Sequence, residues 1–208
     1  EALQYRLSDS AACALVTDAA GMAKIEALRD DLPALVHVIC LEGAIAGALA
    51  YADLVASASP DFTAIDSRAD DPALMIYTSG TTGLAKGALH GHRVLLGHLP
   101  GFAMMHDFPP KPGDRMWTPS DWAWAGGLLN ATLPSLHFGV PVLACPNFRF
   151  EPEAAFRLIA ERAITLAFLP PTALRMLRGF ADPRGRFDLS RLRNIASAGE
   201  ALGPETFD

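Results

Sequence analysis

The chain has little charge and little cysteine, and its one long uncharged stretch is repeatedly broken. Only 19% of its 208 residues are Asp, Glu, Lys or Arg, and half are hydrophobic. An intrinsically disordered chain needs the opposite balance, low hydrophobicity with high net charge, and is excluded. Positive charge is in deficit: 17 Lys and Arg face 23 Asp and Glu, for a net charge of −6. With no basic run, the chain lacks the clustered cations that a nucleic-acid surface requires, so no nucleic-acid partner is expected. Cys13, Cys40 and Cys145 are odd in number and far apart, which fits neither a disulfide framework nor a zinc site and points to a reducing, cytoplasmic setting. From Trp122 to Phe148 no Asp, Glu, Lys or Arg occurs. A membrane-spanning helix needs about 20 apolar residues in an unbroken run. Here Gly126, Gly127, Asn130, Pro134, Gly139, Pro141 and Pro146 interrupt it, so the stretch reads as a buried helix followed by a buried strand, and no membrane span is expected. The apolar surplus, with a mean hydropathy of +0.21, suits a buried sheet or a piece of a larger protein.

Short apolar runs alternate with helix-length segments. Strands are expected at residues 12–17, 34–40, 74–78, 115–118, 140–144, 164–169 and 194–198. Helices are expected at about 20–29, 92–106, 122–136, 152–162 and 172–179, the last two from apolar residues at helical spacing. This alternation predicts an α/β fold in which mostly parallel sheets are covered by helices, with ligands at the carboxyl ends of the strands. A possible internal boundary lies near residues 57–71, where Ser57, Ser59 and Pro60 break an Ala-rich stretch.

The segment Tyr77-Thr78-Ser79-Gly80-Thr81-Thr82-Gly83-Leu84-Ala85-Lys86-Gly87 directly follows an apolar strand. Its glycines let backbone N–H groups turn inward around an anion, its hydroxyls add donors, and Lys86 adds a compact positive charge, so a polyphosphate is the natural ligand. A flexible connection would account for the glycines, though not for the lysine or the position at a strand end. A Walker loop is excluded, because Gly before the lysine and Ser or Thr after it are replaced by Ala85 and Gly87. Other candidates keep two readings. Trp122 and Trp124 suit a core as well as a pocket wall, and Ser120 or Asp121 suits a helix N-cap. Gly199-Glu200 suits a strand-ending turn. Ser79 has no paired base for a catalytic triad. His90 and His92 lack the Cys or carboxylate company of a metal site.

The loop resembles the phosphate-binding signature of the adenylate-forming superfamily, in particular the AMP-forming acyl-CoA synthetases, with Ala85 in place of the usual proline. Two further segments resemble the same family in the right order. Trp117-Thr118-Pro119-Ser120-Asp121-Trp122-Ala123-Trp124-Ala125-Gly126-Gly127 is similar to the segment that enters the acyl-pocket helix. Arg193-Asn194-Ile195-Ala196-Ser197-Ala198-Gly199-Glu200-Ala201-Leu202 is similar to the strand and turn bordering adenine, with Ala201 where many relatives have proline.

The resemblance implies an ATP-dependent ligase that joins a carboxylic acid to AMP and passes the acyl group to coenzyme A, with ATP, magnesium and coenzyme A as cofactor and co-substrates. Thr78, Ser79, Gly80, Thr81, Thr82, Gly83 and Lys86 would hold the phosphates, Thr78 and Lys86 with a catalytic role and Thr78 near magnesium. Gly199, Glu200 and Ala201 would flank adenine. Trp124, Ala125, Gly126 and Ala198 would line the acid pocket, and the small side chains at 125, 126 and 198 imply an acid larger than acetate, of medium chain length. The family's Tyr-Gly-x-Thr-Glu segment, ribose-binding aspartate, hinge and C-terminal lysine have no counterpart here. The resemblance therefore implies an internal fragment of the large N-terminal domain, a partial AMP-binding domain over 1–208. The N- and C-terminal parts of the enzyme would be its partners, and it would be inactive alone. An amino-acid-adenylating domain of a peptide synthetase, with Asp121 as the amino-group partner, and a non-catalytic nucleotide-binding module are the alternatives.

Overall fold

In the computed structural model residues 1–78, 84–146 and 149–207 are described. They form two compact units, residues 1–91 and 92–208, and the 57–71 stretch lies within the first.

The first unit begins with helix α1 (Ala2–Asp9), strand β1 (Ala14–Thr17) and helix α2 (Ala19–Glu26). Asp18 caps α2, its carboxylate accepting the Gly21 N–H at 2.7 Å, which satisfies one of the orphan donors of the first turn. A Cβ on Gly21 would sit 1.9 Å from Thr17 Oγ1, so a larger residue there would force the Thr17 side chain to turn away. Strands β2 (His37–Cys40) and β3 (Leu49–Ala50) follow, then helix α3 (Tyr51–Ser57). The sheet order is β1-β2-β3, all parallel, with Thr17 opposite Cys40. Its core is small: Met22, Ile25, Leu32, Leu35, Val38 and Cys40.

Strands β4 (Pro72–Thr78) and β5 (Lys86–Gly91) form a separate antiparallel ribbon. The expected loop therefore ends earlier than Gly87, at the start of β5. The sequence Lys-Gly-Ala-Leu-His-Gly has two glycines and no β-branched residue, so strand propensity does not mark β5; pairing with β4 makes it a strand. The pair departs from the parallel pattern because the chain joining it is too short for a crossover.

The second unit contains helix α4 (Val94–Met105), strand β6 (Met116–Trp117), the single turn α5 (Ala125–Gly127), a π-helical turn (Leu128–Thr132) and helix α6 (Leu133–His137). Strand β7 (Val142–Leu143), helix α7 (Pro152–Glu161), strand β8 (Leu166–Phe168) and helix α8 (Pro171–Arg178) come next, then helix α9 (Pro183–Arg186), strand β9 (Asn194–Ala196) and helix α10 (Pro204–Phe207). The four strands are parallel in the order β7-β6-β8-β9. Successive strand residues point to opposite faces, and both faces are buried. Met116, Leu166, Phe168 and Ala196 pack with Phe102 and Ala131. Trp117 and Ala167 pack with Phe156, Ile159 and Leu177 of α7 and α8. The helix expected over 122–136 is three pieces, because glycines at 126 and 127 and Pro134 disrupt a regular ladder, and the Thr132 hydroxyl donates to the Gly127 carbonyl at 2.8 Å.

A polar network ties the amino ends of the strands. Arg193, just before β9, donates to both oxygens of Asp114, at 2.9 and 2.8 Å, and to Asp107 at 2.9 Å. Thr165, before β8, donates to Asp114 at 3.0 Å and accepts the Arg115 N–H at 2.9 Å. Burial works against ionisation of Asp114, but the hydrogen bonds from Arg193, the Lys111 N–H and Thr165 outweigh it and hold the carboxyl below the ordinary aspartate range. The opposite, carboxyl ends of the strands carry the candidate site residues.

Candidate functional site

In the first unit the phosphate candidates lie on the β4–β5 ribbon. Thr78 and Lys86 are cross-strand partners. Residues directly opposite each other in an antiparallel pair project from the same face, so the two ends of the glycine-rich segment meet there. Both are exposed, and Lys86 enters no ion pair among the described residues. Ser79, Gly80, Thr81, Thr82 and Gly83 lie outside the described residues. A Cβ on Gly87 would lie 2.7 Å from the Met75 sulfur, so this last glycine of the motif serves strand packing. Tyr77 anchors β4 to α1: its hydroxyl donates to Asp9 at 2.7 Å, and its ring meets Tyr5 edge-on at 6.4 Å. The bond to the Asp9 carboxylate holds the Tyr77 phenol above the ordinary tyrosine range. Among the described residues no cluster of His, Cys, Asp or Glu could hold a metal ion, and His90 and His92 form no such site. Thr78 offers one neutral hydroxyl, which does not make a metal site by itself.

In the second unit the candidates sit where the parallel strands end. Between residues 117–122, after β6, and 143–146, after β7, lies a cavity of about 570 Å³. Asp121 accepts the Ala123 N–H at 2.8 Å, a local turn; the residue before α5 is Trp124, with no side-chain cap. Trp122 and Trp124 are 40% and 61% exposed, so neither is a core residue; Trp117 is. Ala125 is exposed and Gly126 half-buried.

Two candidates converge on a residue that sequence reasoning missed. A Cβ on Gly126 would lie 3.3 Å from Cε1 of Phe168, the last residue of β8, and Ala198 packs against the cluster that Phe168 belongs to. The only sequence signal for Phe168 is its place at the carboxyl end of an apolar run. Gly199 follows with φ +110°, a conformation that favours glycine. Glu200 is ion-paired to Arg175 of α8, Nη2 to Oε2 at 3.1 Å, and Ala201 is exposed. The Ser197 hydroxyl is buried with no hydrogen-bond partner among the described residues. A concavity of about 1150 Å³, lined by Phe156 and residues between 183 and 195, holds none of the predicted site residues.

The AMP-binding enzyme family matches residues 1–208. The chain is 31% identical to the acetyl-coenzyme A synthetase of Bacillus subtilis over 98% of its own length and 36% of the relative's. It is 28% identical to a mitochondrial acyl-coenzyme A synthetase of Mus musculus over 98% of its length and 35% of the relative's. The crystal structure of an anthranilate CoA ligase with anthranoyl-AMP superposes with a TM-score of 0.85 at 26% identity, covering 97% of this chain and 39% of that one. The chain thus spans about a third of the length of the curated relatives it matches.

Proposed function

The chain belongs to the AMP-binding enzyme family, and from that premise we propose that it forms part of an ATP-dependent ligase that activates a carboxylic acid as its adenylate and transfers the acyl group to coenzyme A. The observation that carries this reading is the segment from Thr78 to Lys86, rich in hydroxyls and glycine, whose two ends are cross-strand partners on one ribbon.

In the first step an oxygen of the acid's carboxylate attacks the α-phosphorus of ATP and the bond to pyrophosphate breaks. Negative charge grows on the departing pyrophosphate, and fixed donors and a cation lower that barrier. Lys86, the Thr78 hydroxyl and the donors of Ser79 to Gly83 supply them. In the second step the coenzyme A thiol, losing its proton, attacks the acyl carbonyl and AMP leaves. Gly199, Glu200 and Ala201 border the adenine. Of the described residues, Thr78 would offer its hydroxyl to a magnesium ion bound with the nucleotide, and the ion would offset the charge of the phosphates.

For the acid we propose a chain longer than acetate. Ala125, Gly126 and Ala198 are small at the positions that the resemblance gives to the acid pocket, with Gly126 against the Phe168 ring, and each methylene of an acid buried in such a space contributes about 0.8 kcal/mol. The likeness to an acetyl-coenzyme A synthetase favours acetate as a second reading. Competition among acetate, butyrate, hexanoate and benzoate on the intact protein, followed by pyrophosphate release, separates them. The highest kcat/KM for acetate would refute the longer-chain reading.

A further inference from the structure

The turn proposed to border the adenine carries a carboxylate, although the nucleotide as a whole is an anion. Glu200 follows β9, and its charge would oppose ATP. The fold places a cation against it. Strands β8 and β9 are parallel neighbours, so α8, which begins just after β8, and the turn after β9 rise from the same end of the sheet. That topology brings Arg175 to Glu200 across 25 residues of sequence, with Nη2 and Oε2 3.1 Å apart. Packing does not explain the pair. Helix α8 is held down by Ala173 and Leu177 on its buried face, while the two charged side chains are 42% and 46% exposed. An ion pair that open to water contributes little to stability, but its charge still acts on an anion bound nearby, over about 10 Å at ordinary ionic strength.

We infer that Arg175 is a positioning residue for the nucleotide: it draws the Glu200 carboxylate toward α8 and masks its charge, so that the turn presents backbone to the base. The inference rests on the nucleotide reading above. It differs from a plain structural tie in the sign of its effects. A tie is lost whichever partner is removed, so both single variants weaken binding of any nucleotide. Charge masking predicts opposite signs. Without Arg175 the carboxylate is bare; without the carboxylate the guanidinium is free to attract phosphate.

The test is calorimetric titration of the intact protein with ATP and, separately, with adenosine, which has the base and no phosphate. R175A is expected to weaken ATP about fivefold and adenosine far less, R175K to recover most of that loss, and E200Q to tighten ATP about threefold. Both ATP effects should shrink in about 0.5 M salt, where screening shortens the reach of exposed charges. Equal weakening of ATP and adenosine by R175A, or weakening of ATP by E200Q, would overturn the inference while leaving the nucleotide reading intact. If the unaltered protein binds neither ligand, the nucleotide reading fails and this inference with it.

Discussion

The two units divide the work between exposure and burial. In residues 1–91 the ribbon that carries the phosphate candidates has one buried apolar residue, Ile76, and Met75 and Leu89 are 36% and 57% exposed. In residues 92–208 the acid and adenine candidates stand on the ends of a sheet buried on both faces, with its amino ends tied by charged side chains. Phosphate recognition relies on backbone donors, hydroxyls and one long flexible cation, which a lightly packed ribbon can offer. Selecting an acid by its shape requires walls that do not move, and close-packed strand ends supply them.

That contrast breaks first, if it is wrong, at the core of the sheet. Trp117 is fully buried in a central strand, and Trp117→Ala should destabilise the second unit by about 3–5 kcal/mol. Leu89→Ala on the ribbon should cost under about 1 kcal/mol. Denaturant midpoints that move equally for both variants would erase the distinction.

The network at the amino ends comes next. Asp114→Ala removes an acceptor of three side-chain bonds, two from Arg193 and one from Thr165, and should cost about 2–3 kcal/mol. Acid titration sharpens this. His106 is buried, and burial, partly offset by its bond to Asn194, holds its imidazole below the ordinary value. Stability should be full above about pH 6.5 and fall with pH as the unfolded chain takes up the proton that native His106 resists. Below about pH 4 it should fall again as unfolded aspartate takes up the proton that Asp114 resists. Melting curves of Asp114→Ala should show a smaller second loss; an unchanged acid limb would contradict the role given to that carboxylate.

Lys86→Ala tests the ribbon from the other side. A charged hydrogen bond contributes about 1.5–3 kcal/mol, so pyrophosphate release should slow ten- to a hundredfold, while the melting temperature barely moves. Lost stability with unchanged release would reverse the assignment. The smallest effect is expected at Gly126. An added methyl group meets the Phe168 ring, and Gly126→Ala should shift the hexanoate-to-acetate ratio of kcat/KM about tenfold toward acetate. A constant ratio would place the acid pocket elsewhere.

The features legible in the sequence are those that depend on neighbours along the chain. Apolar runs mark β1, β2, β4 and β6 to β9, and in β6 and β8, where every residue is buried, burial on both faces removes polar alternation. The spacing of Ala155, Leu158 and Ile159 marks α7. Helix α1 has no buried residue and leaves no apolar stripe to read. Strand β5 exists through its partner. The π turn depends on Thr132 reaching back to Gly127, a bond that no propensity encodes. The candidate site divides the same way. The glycine-rich segment and the Gly199-Glu200 turn are contiguous and readable. Gly126 meeting Phe168, and Arg175 meeting Glu200, depend on which strands are neighbours in the sheet, and that order is not written in any one segment.

The central claim is that this chain carries the phosphate and acid-recognising parts of an adenylate-forming site. Acid-dependent exchange of labelled pyrophosphate into ATP, measured on the intact protein, tests it most directly, because exchange reports adenylate formation without coenzyme A. The account predicts exchange that requires a carboxylic acid, is faster with hexanoate than with acetate, and falls at least tenfold in Lys86→Ala. Exchange that is absent with every acid, or undiminished in Lys86→Ala, would contradict it.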